Sequence, residues 1–408
     1  MGPISLRSPL AAKSPSQVNV AKIVDPDRVK SSVPPQSAPE SSKQPSRVDR
    51  SPASMANEIE KKQYKKTKKL GEGTYATVHL GHLTSDPKQL VAIKKIKLNA
   101  DYRDGLSMDA IREIKYLQEL SHPNIIALYS VFASKHKNLN LVLEYLPLGD
   151  LEMVIRDVKG VRYGTGDIKA WMGMLGRAVW FCHENFILHR DIKPNNLLIA
   201  ADGEIKLADF GLARSFSDPY RVMTHQMITR WYRPPELLYG ARHYSGAVDI
   251  WSVGMVLAEL VIRKPFVPGD TDMGQMDLIS KAIGSPSEEN WAGVTKLPDF
   301  VQPDPVTPVR QKDHYLRLFG SLGSEGVDLL MATLRLDPRQ RISATAFLQH
   351  PWWQVSPRPT EKQNLPRKGV GEVKMGEDLK RRGGELPMQM SSGDGAARKL
   401  EFGSRVRV

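Results

Sequence analysis

The amino-acid sequence predicts an α+β protein with a small sheet-rich lobe followed by a larger, mostly helical lobe. Strand-like segments, short apolar runs bounded by turn residues, come first. Helix-like segments, with apolar residues three and four positions apart, dominate the second half. The chain has 408 residues and is 40% hydrophobic, enough for one large or two ordinary domains. Strands grouped before helices indicate two lobes of different composition.

The individual elements follow from local patterns. Two strands flank a turn at residues 85–87 (SDP), and a third strand lies further along the chain. The segment 107–120 repeats its apolar residues at helical spacing, which predicts a helix. The predicted strands are 77–83, 90–97 and 139–146, and the other predicted helices are 167–186, 247–263 and much of 326–350.

Composition excludes several classes of protein. The net charge is +13, but acidic and basic residues balance within 70–355, so the excess lies in the flanks. A neutral middle is not expected to bind nucleic acid directly. The single cysteine, Cys182, excludes an intramolecular disulfide framework and a cysteine-cluster metal site. No apolar run is long enough to predict a membrane span or a secretory signal, so we expect a soluble intracellular protein.

Both flanks read as flexible. Residues 1–54 are rich in Ser and Pro, without periodicity, and we expect a disordered basic extension over 1–60. The segment 61–69 (KKQYKKTKK) is either a solvated approach to the first strand or a nuclear-import or polyanion patch. After Trp353 the chain is again Pro/Gly-rich and charged, which predicts a flexible basic tail over 354–408.

A glycine-rich turn and a buried lysine give the first chemical signal. Residues 71–78 (GEGTYATV) lie between strands, and glycines let a backbone approach phosphates closely. Alone this is weak, because Ala76 stands where a third glycine is expected. Lys94 ends an apolar strand, and a buried ammonium needs a partner. Glu113, in the following helix, is a natural one.

Downstream motifs make the signal specific. Residues 189–196 (HRDIKPNN) and 209–211 (DFG) supply carboxylates and an amide, the hard oxygen ligands that suit Mg²⁺-bound phosphates. A further carboxylate can serve an incoming hydroxyl. Residues 234–236 (PPE) and 249–254 (DIWSVG) follow in order. Chance does not produce all of these in this order and spacing.

Together these motifs resemble a eukaryotic protein kinase over residues 64–353, with an antiparallel-sheet N-lobe at 64–146 and a helical C-lobe at 147–353. The resemblance implies that Lys94 holds the ATP phosphates and pairs with Glu113. Asp191 would accept the proton of the substrate hydroxyl. Lys193 would stabilise the transferring phosphate, as in Ser/Thr kinases. Mg²⁺ would bind Asn196 and Asp209.

The resemblance also implies an ATP pocket. Three apolar side chains would sandwich adenine, the backbone at 144 and 146 would hydrogen-bond it, and Leu143 would be the gatekeeper. The implied ATP-binding residues are Leu70, Gly71, Gly73, Val78, Ala92, Lys94, Leu143, Glu144, Leu146 and Leu198. The hinge carries one extra residue near 148–150, so its solvent side is expected to differ from the family pattern.

Finer features resemble the cyclin-dependent kinases. Residues 110–113 (AIRE) match the cyclin-binding helix, and Thr224 matches the activating phosphothreonine. A phosphate there needs guanidinium partners, and the implied clamp is Arg112, Arg190 and Arg214. Asp218 stands where relatives carry a second phosphosite. Arg233 matches the residue behind a preference for proline after the phosphoacceptor.

The blocks 111–126, 186–199, 206–216 and 224–244 are similar to the kinase of transcription factor TFIIH, the CDK-activating kinase branch. This implies a nuclear enzyme with a cyclin H-type cyclin, a RING-finger assembly factor and the TFIIH core as partners. The implied substrate is the heptad-repeat tail of RNA polymerase II and, in some lineages, the activation threonine of other cyclin-dependent kinases. The alternatives are a cell-cycle cyclin-dependent kinase, a non-catalytic scaffold and a protein that binds nucleic acid through its tails.

Overall fold

The computed structural model describes residues 51–72, 76–97, 108–134, 138–216 and 229–367. The N-lobe contains a five-stranded antiparallel sheet in the order β1-β2-β3-β5-β4, with α1 before β1 and α2 between β3 and β4 in sequence. Its elements are α1 (Pro52–Lys62), β1 (Tyr64–Glu72), β2 (Ala76–Leu83), β3 (Leu90–Ile96), α2 (Met108–Glu119), β4 (Leu128–Ala133) and β5 (Leu139–Glu144).

The C-lobe is mostly helical, with two small two-stranded sheets close to the N-lobe. Its strands are β6 (Ile187–Leu188), β7 (Leu197–Ile199), β8 (Ile205–Leu207) and β9 (Arg214–Ser215). Its helices are α3 (Leu151–Arg156), α4 (Thr165–Glu184), α5 (Pro235–Leu238), α6 (Ala247–Ile262), α7 (Asp272–Ile283), α8 (Lys312–Phe319), α9 (Gly323–Thr333) and α10 (Ala344–Leu348). No helix within these described ranges is long and apolar enough to cross a membrane.

Helix α6 organises the C-lobe. Every residue from Val248 to Leu260 is buried, and the helix packs against α4, α8 and α9. A helix that is apolar on all sides must lie inside the protein. Its one buried carboxylate near the N-terminus, Asp249, is therefore in a position to reach the loop that follows α4.

The prediction of disorder over 1–60 is wrong for residues 52–60, which belong to α1. Ser51 caps the helix by accepting a hydrogen bond from the amide of Ser54, and proline occupies the first turn. Asn57 bonds both the amide (2.6 Å) and the carbonyl (3.0 Å) of Ala133 on the edge strand β4. Glu60 accepts from Ser130 at 2.7 Å. Because α1 buries no residue completely, hydrophobic patterning could not reveal its docking.

The prediction of a flexible tail from 354 is likewise wrong for residues 354–367, which lie along the C-lobe. The Lys169 ammonium donates to the carbonyl of Val355 at 2.8 Å. The amide of Thr360 donates to the carbonyl of Gly166 at 3.0 Å. Leu365 is buried, and Lys362 pairs with Asp202 at 2.6 Å. Backbone groups carry much of this attachment, so side-chain composition did not predict it.

We expect Asn57→Ala to lower the free energy of unfolding by about 1 kcal/mol, because it removes two hydrogen bonds to Ala133. Urea unfolding measures this loss. Hydrogen exchange should also become faster at the amide of Ala133. Lys61→Ala on the same helix is the control. It removes only an exposed ion pair with Glu58 and should change stability by less than about 0.5 kcal/mol.

Candidate active site

An ion triad joins the two lobes, with Glu113 buried, Lys94 mostly buried and Asp209 half-exposed. The Lys94 ammonium on β3 lies 2.8 Å from both carboxylate oxygens of Glu113 on α2 and 3.2 Å from Oδ1 of Asp209. Burial alone would lower the pKa of Lys94, but the charges of Asp209 and Glu113 outweigh it, and the pKa is raised. The Lys94 charge in turn lowers the pKa of Asp209 to about 2. The Lys94 ammonium and the Asp209 carboxylate are therefore both ionised near neutral pH.

The Asp191 carboxylate lies at the centre of a second network. Its Oδ2 accepts from Nδ2 of Asn196 at 2.9 Å and lies 2.8 Å from the Lys193 ammonium. Its Oδ1 accepts from the Thr229 hydroxyl at 2.8 Å. Lys193 also donates to Thr229 at 2.8 Å. Both carboxylate oxygens are therefore held in a fixed orientation. A general base needs a fixed orientation of this kind to accept a proton from one position.

Thr229 is a site residue that sequence reasoning missed. It precedes Arg230 and Trp231 in the block 224–244, which carried a family resemblance and a substrate preference, and nothing in the local pattern distinguished its hydroxyl. Only the folded chain brings it to Asp191, 38 residues away in sequence.

Asp249 fixes the backbone of the catalytic loop from beneath. Its carboxylate accepts from the amides of His189 (2.9 Å) and Arg190 (2.8 Å) and lies 2.9 Å from Nε2 of His183. Burial alone would raise the pKa of Asp249, but the hydrogen bonds from His183 and from the amide of Arg190 lower it. Arg190 has φ of +66°, a left-handed conformation that a non-glycine residue adopts at a cost. The sequence pattern predicted no role for His183 at this loop.

His189 links the catalytic loop to the segment that starts at Asp209. Its Nδ1 accepts from the amide of Asp191 at 3.2 Å, and its Nε2 lies 3.1 Å from the carbonyl of Ala208. The ring packs edge-on against Phe210 at 4.7 Å between centroids. Burial lowers the pKa of His189, so the ring is neutral, in agreement with one donating and one accepting nitrogen.

The implied adenine pocket is assembled by strand register. Gly71 pairs with Val78 across β1 and β2, and Ala92 pairs with Leu143 across β3 and β5. Leu198 on β7 belongs to the same apolar cluster as Ala92, Leu143 and Leu146. Leu70 lies beside Gly71 in β1, whereas Gly73 falls outside the described residues.

The hinge residue Glu144 is held at both of its carboxylate oxygens. Lys206 on β8 lies 3.1 Å from Oε1, and the amide of Ala127 donates to Oε2 at 3.4 Å. Lys206 is paired with Leu198 across β7 and β8. The ion pair therefore ties the hinge to the strand that carries one wall of the adenine pocket.

One member of the implied phosphate clamp has an unused donor. Arg190 is fully buried and donates from Nε to the carbonyl of Leu212 (2.7 Å) and from Nη1 to the Tyr244 hydroxyl (2.8 Å). Its Nη2 has no hydrogen-bond partner among the described residues. A buried unpaired guanidinium nitrogen calls for an explanation. Arg112 lies on α2 and Arg214 on β9, while Thr224 and Asp218 fall outside the described residues.

Comparisons with known proteins agree with this geometry. The family model described as the protein kinase domain matches residues 64–353. Serine/threonine-protein kinase KIN28 of Saccharomyces cerevisiae is 45% identical over 303 residues, 74% of this chain and 97% of that protein. Cyclin-dependent kinase 7 of Xenopus laevis is 45% identical over 310 residues, 75% of this chain and 85% of that protein.

A solved structure is also similar: the kinase chain in the structure titled the CAK complex of Chaetomium thermophilum bound to ATP-γ-S. It is 68% identical, with a TM-score of 0.76, and the match covers 78% of this chain and 99% of that one. The fold and these similarities define a serine/threonine protein kinase. Within that class, the chain belongs to the CDK-activating kinase branch of the cyclin-dependent kinases. The predictions of fold, enzyme class and branch are confirmed.

We expect Asp191→Asn to reduce phosphate transfer by roughly 10²- to 10⁴-fold, because an amide cannot accept the proton of the substrate hydroxyl. Transfer of radiolabelled γ-phosphate measures the loss, and the melting temperature should not change. Asp277→Asn, which removes an exposed carboxylate on α7, is the control and should retain full activity. Turnover near the unaltered rate in Asp191→Asn would contradict the assignment of Asp191.

A buried acid beneath the 229–233 segment gives a pH prediction. Glu259 on α6 accepts from the Tyr232 hydroxyl at 2.6 Å, and burial, aided by Glu152, raises its pKa to about 7. The folded protein therefore holds a proton that the unfolded chain, with a pKa near 4.5, releases. The contribution of Glu259 to the free energy of unfolding is complete below about pH 4.5. It decreases as the pH rises to about 7, by up to about 3 kcal/mol in total.

Urea unfolding between pH 5 and 8 measures this slope. We expect Glu259→Gln to remove it, because the amide keeps an acceptor for Tyr232 and does not titrate. Glu184→Gln, at the exposed end of α4, should keep the slope. An unchanged slope in Glu259→Gln would assign the pH dependence to other groups.

Proposed function

We propose that this kinase transfers the γ-phosphate of ATP to Ser or Thr followed by Pro, and that its main substrate is the heptad-repeat tail of RNA polymerase II. The observation that carries the proposal is the complete catalytic arrangement. Lys94 is seated on Glu113, and Asp191 is oriented by Lys193, Thr229 and Asn196. A scaffold would not need these groups aligned.

The chain's own residues supply positioning and charge. Asp191 accepts the proton of the attacking hydroxyl at its oriented carboxylate. Lys94 holds the ATP phosphates, and Lys193 lies beside Asp191, where charge develops on the transferring group. These roles agree with the distances in both networks.

The residues Asn196 and Asp209 fit Mg²⁺. The low pKa of Asp209 keeps its carboxylate ionised, and the bond from Nδ2 of Asn196 to Asp191 leaves the amide oxygen as a ligand. Within the described residues no three His, Cys, Asp or Glu side chains form a metal cluster. Two protein ligands suit a cation whose shell ATP phosphates complete. The bound ion would neutralise phosphate charge.

The segment after Thr229 supports proline direction. Arg233 is held by two 3.1 Å contacts to the Asp272 carboxylate on α7, and Arg230 donates to the same carboxylate at 2.7 Å. The indole of Trp231 donates to the carbonyl of Gly269 at 3.2 Å. These contacts hold in place the residue that the resemblance links to a preference for proline, Arg233.

Helix α2 supports a cyclin partner. Glu113 is buried, whereas Ile111 on the same helix is 39% exposed. A large apolar side chain beside the catalytic pair is where a cyclin H-type subunit would press α2 into place. A RING-finger assembly factor and the TFIIH core complete the proposed assembly, which places the protein in the nucleus.

Activation also involves Thr224 in this proposal. Its phosphate would engage Arg112, Arg190 and Arg214, and the unpaired Nη2 of Arg190 supports this. The carboxylate of Asp218 would partly replace a second phosphate with less charge.

The test is a radiolabelled-ATP assay of the affinity-purified native assembly on two substrates. One is a polymerase heptad-repeat peptide, and the other is an unphosphorylated cell-cycle kinase–cyclin complex. We expect activity on the heptad peptide, with Asp191→Asn as background. Activity on both substrates would add the activation of other cyclin-dependent kinases. Activity on the kinase–cyclin complex alone would contradict the polymerase assignment, and activity on neither would favour a scaffold.

A further inference from the structure

A tyrosine on α2 bonds the activation segment directly. The amide of Ser215 on β9 donates to the hydroxyl of Tyr116 at 2.8 Å, and Tyr116 is buried. In the sequence this position is distinguished only as part of the predicted helix 107–120. None of the proposed ATP, metal or phosphate roles uses it.

The direction of this bond follows from strand geometry. β9 pairs with β6, and the amide of Phe216 donates to the carbonyl of Phe186 at 3.0 Å on that side. Successive amides of a strand point to opposite sides. The amide of Ser215 therefore points away from β6 towards α2, where this partly buried N–H needs an acceptor. The Tyr116 hydroxyl supplies it.

The N-lobe consequently holds the start of the activation segment at both ends. At the first end, Lys94 contacts Asp209 at 3.2 Å, and at the second, Tyr116 contacts Ser215. Between them α2 packs against the turn 210–212, while Arg190 of the C-lobe donates to the carbonyl of Leu212 at 2.7 Å. The segment 209–215 is thus fixed between the lobes.

Glu113 and Tyr116 are three positions apart on α2, so they lie on one face of the helix. A rigid outward movement of α2 would separate Glu113 from Lys94 and Tyr116 from Ser215 together. Because of this hydrogen bond, an ordered activation segment favours the inward position of α2. Equally, the inward position of α2 favours an ordered activation segment.

We propose that Tyr116 is a positioning residue that couples the seating of α2 to the order of the activation segment. It acts in parallel with phosphorylation of Thr224, and in this respect the inference rests on the proposed function. When the phosphate is absent, the Tyr116 bond carries a larger share of the coupling.

The test compares Tyr116→Phe, which removes only the hydroxyl, with Tyr129→Phe, a hydroxyl loss at an exposed residue of β4. Each variant of the full-length chain is purified in its native assembly, in the unaltered and in a Thr224→Ala background. Phosphate transfer to a Ser-Pro peptide, melting temperature and hydrogen exchange at Ser215 are measured.

We expect Tyr116→Phe to lower kcat about twofold in the unaltered background and about tenfold with Thr224→Ala. The ratio of kcat in the unaltered background to kcat with Thr224→Ala is then about fivefold larger in Tyr116→Phe. A merely structural role would reduce both backgrounds equally and leave that ratio unchanged. Equal losses, or Ser215 exchange as slow as in Tyr129→Phe, would overturn the proposal.

Failure of the two proposals can be told apart. If Thr224→Ala alone leaves activity unchanged, the activating role of Thr224 fails. The Tyr116 proposal is then decided by exchange at Ser215 and on α2. Faster exchange together with a lower kcat at an unchanged melting temperature supports it, and unchanged exchange overturns it.

Discussion

The cost of burying the Lys94 ammonium is the constraint on which the rest of the structure depends. A buried cation without partners is strongly unfavourable, and its two carboxylates come from separate elements, Glu113 on α2 and Asp209 at the start of the activation segment. All three groups come together only when α2 and the start of the activation segment are both in place. One electrostatic requirement thus makes catalytic competence depend on how the lobes and α2 are arranged.

Asp249 plays the corresponding part in the C-lobe. It comes from α6, the most buried helix, and accepts two successive amides of the catalytic loop, including that of Arg190 in its left-handed conformation. Strain of that kind persists only when the surroundings hold it. The carboxylate of Asp249 therefore connects the buried helix α6 to His189. His189 in turn accepts a hydrogen bond from the amide of Asp191 and packs against Phe210.

Polar contacts to backbone carry much of the attachment at both ends of the described chain, and burial of Leu365 adds to it in the tail. Asn57 hydrogen-bonds the amide and the carbonyl of Ala133 on the edge strand β4. The tail is hydrogen-bonded to α4 through the carbonyl of Val355 and the amide of Thr360. Such attachments protect an exposed strand edge and leave almost no hydrophobic signature. This is why the two flanks were the least predictable part of the fold. Between them, the three predicted strands and the helices predicted over 107–120, 167–186 and 247–263 match the structure to within a few residues, whereas the helix predicted over much of 326–350 is divided into α9 and α10.

The sequence by itself determined the order of the lobes and predicted the chemistry of the site, because the motifs that contain Lys94, Glu113, Asp191, Asn196 and Asp209 carry this information in their spacing. Only the tertiary structure decided which groups surround the site: Thr229 bonds Asp191, His183 contacts Asp249, Lys206 contacts Glu144, and Tyr116 bonds the amide of Ser215. These residues act across long separations through single hydrogen bonds or ion pairs. A local pattern records the residue types that neighbours along the chain require. It does not record contacts that exist only after distant segments have packed.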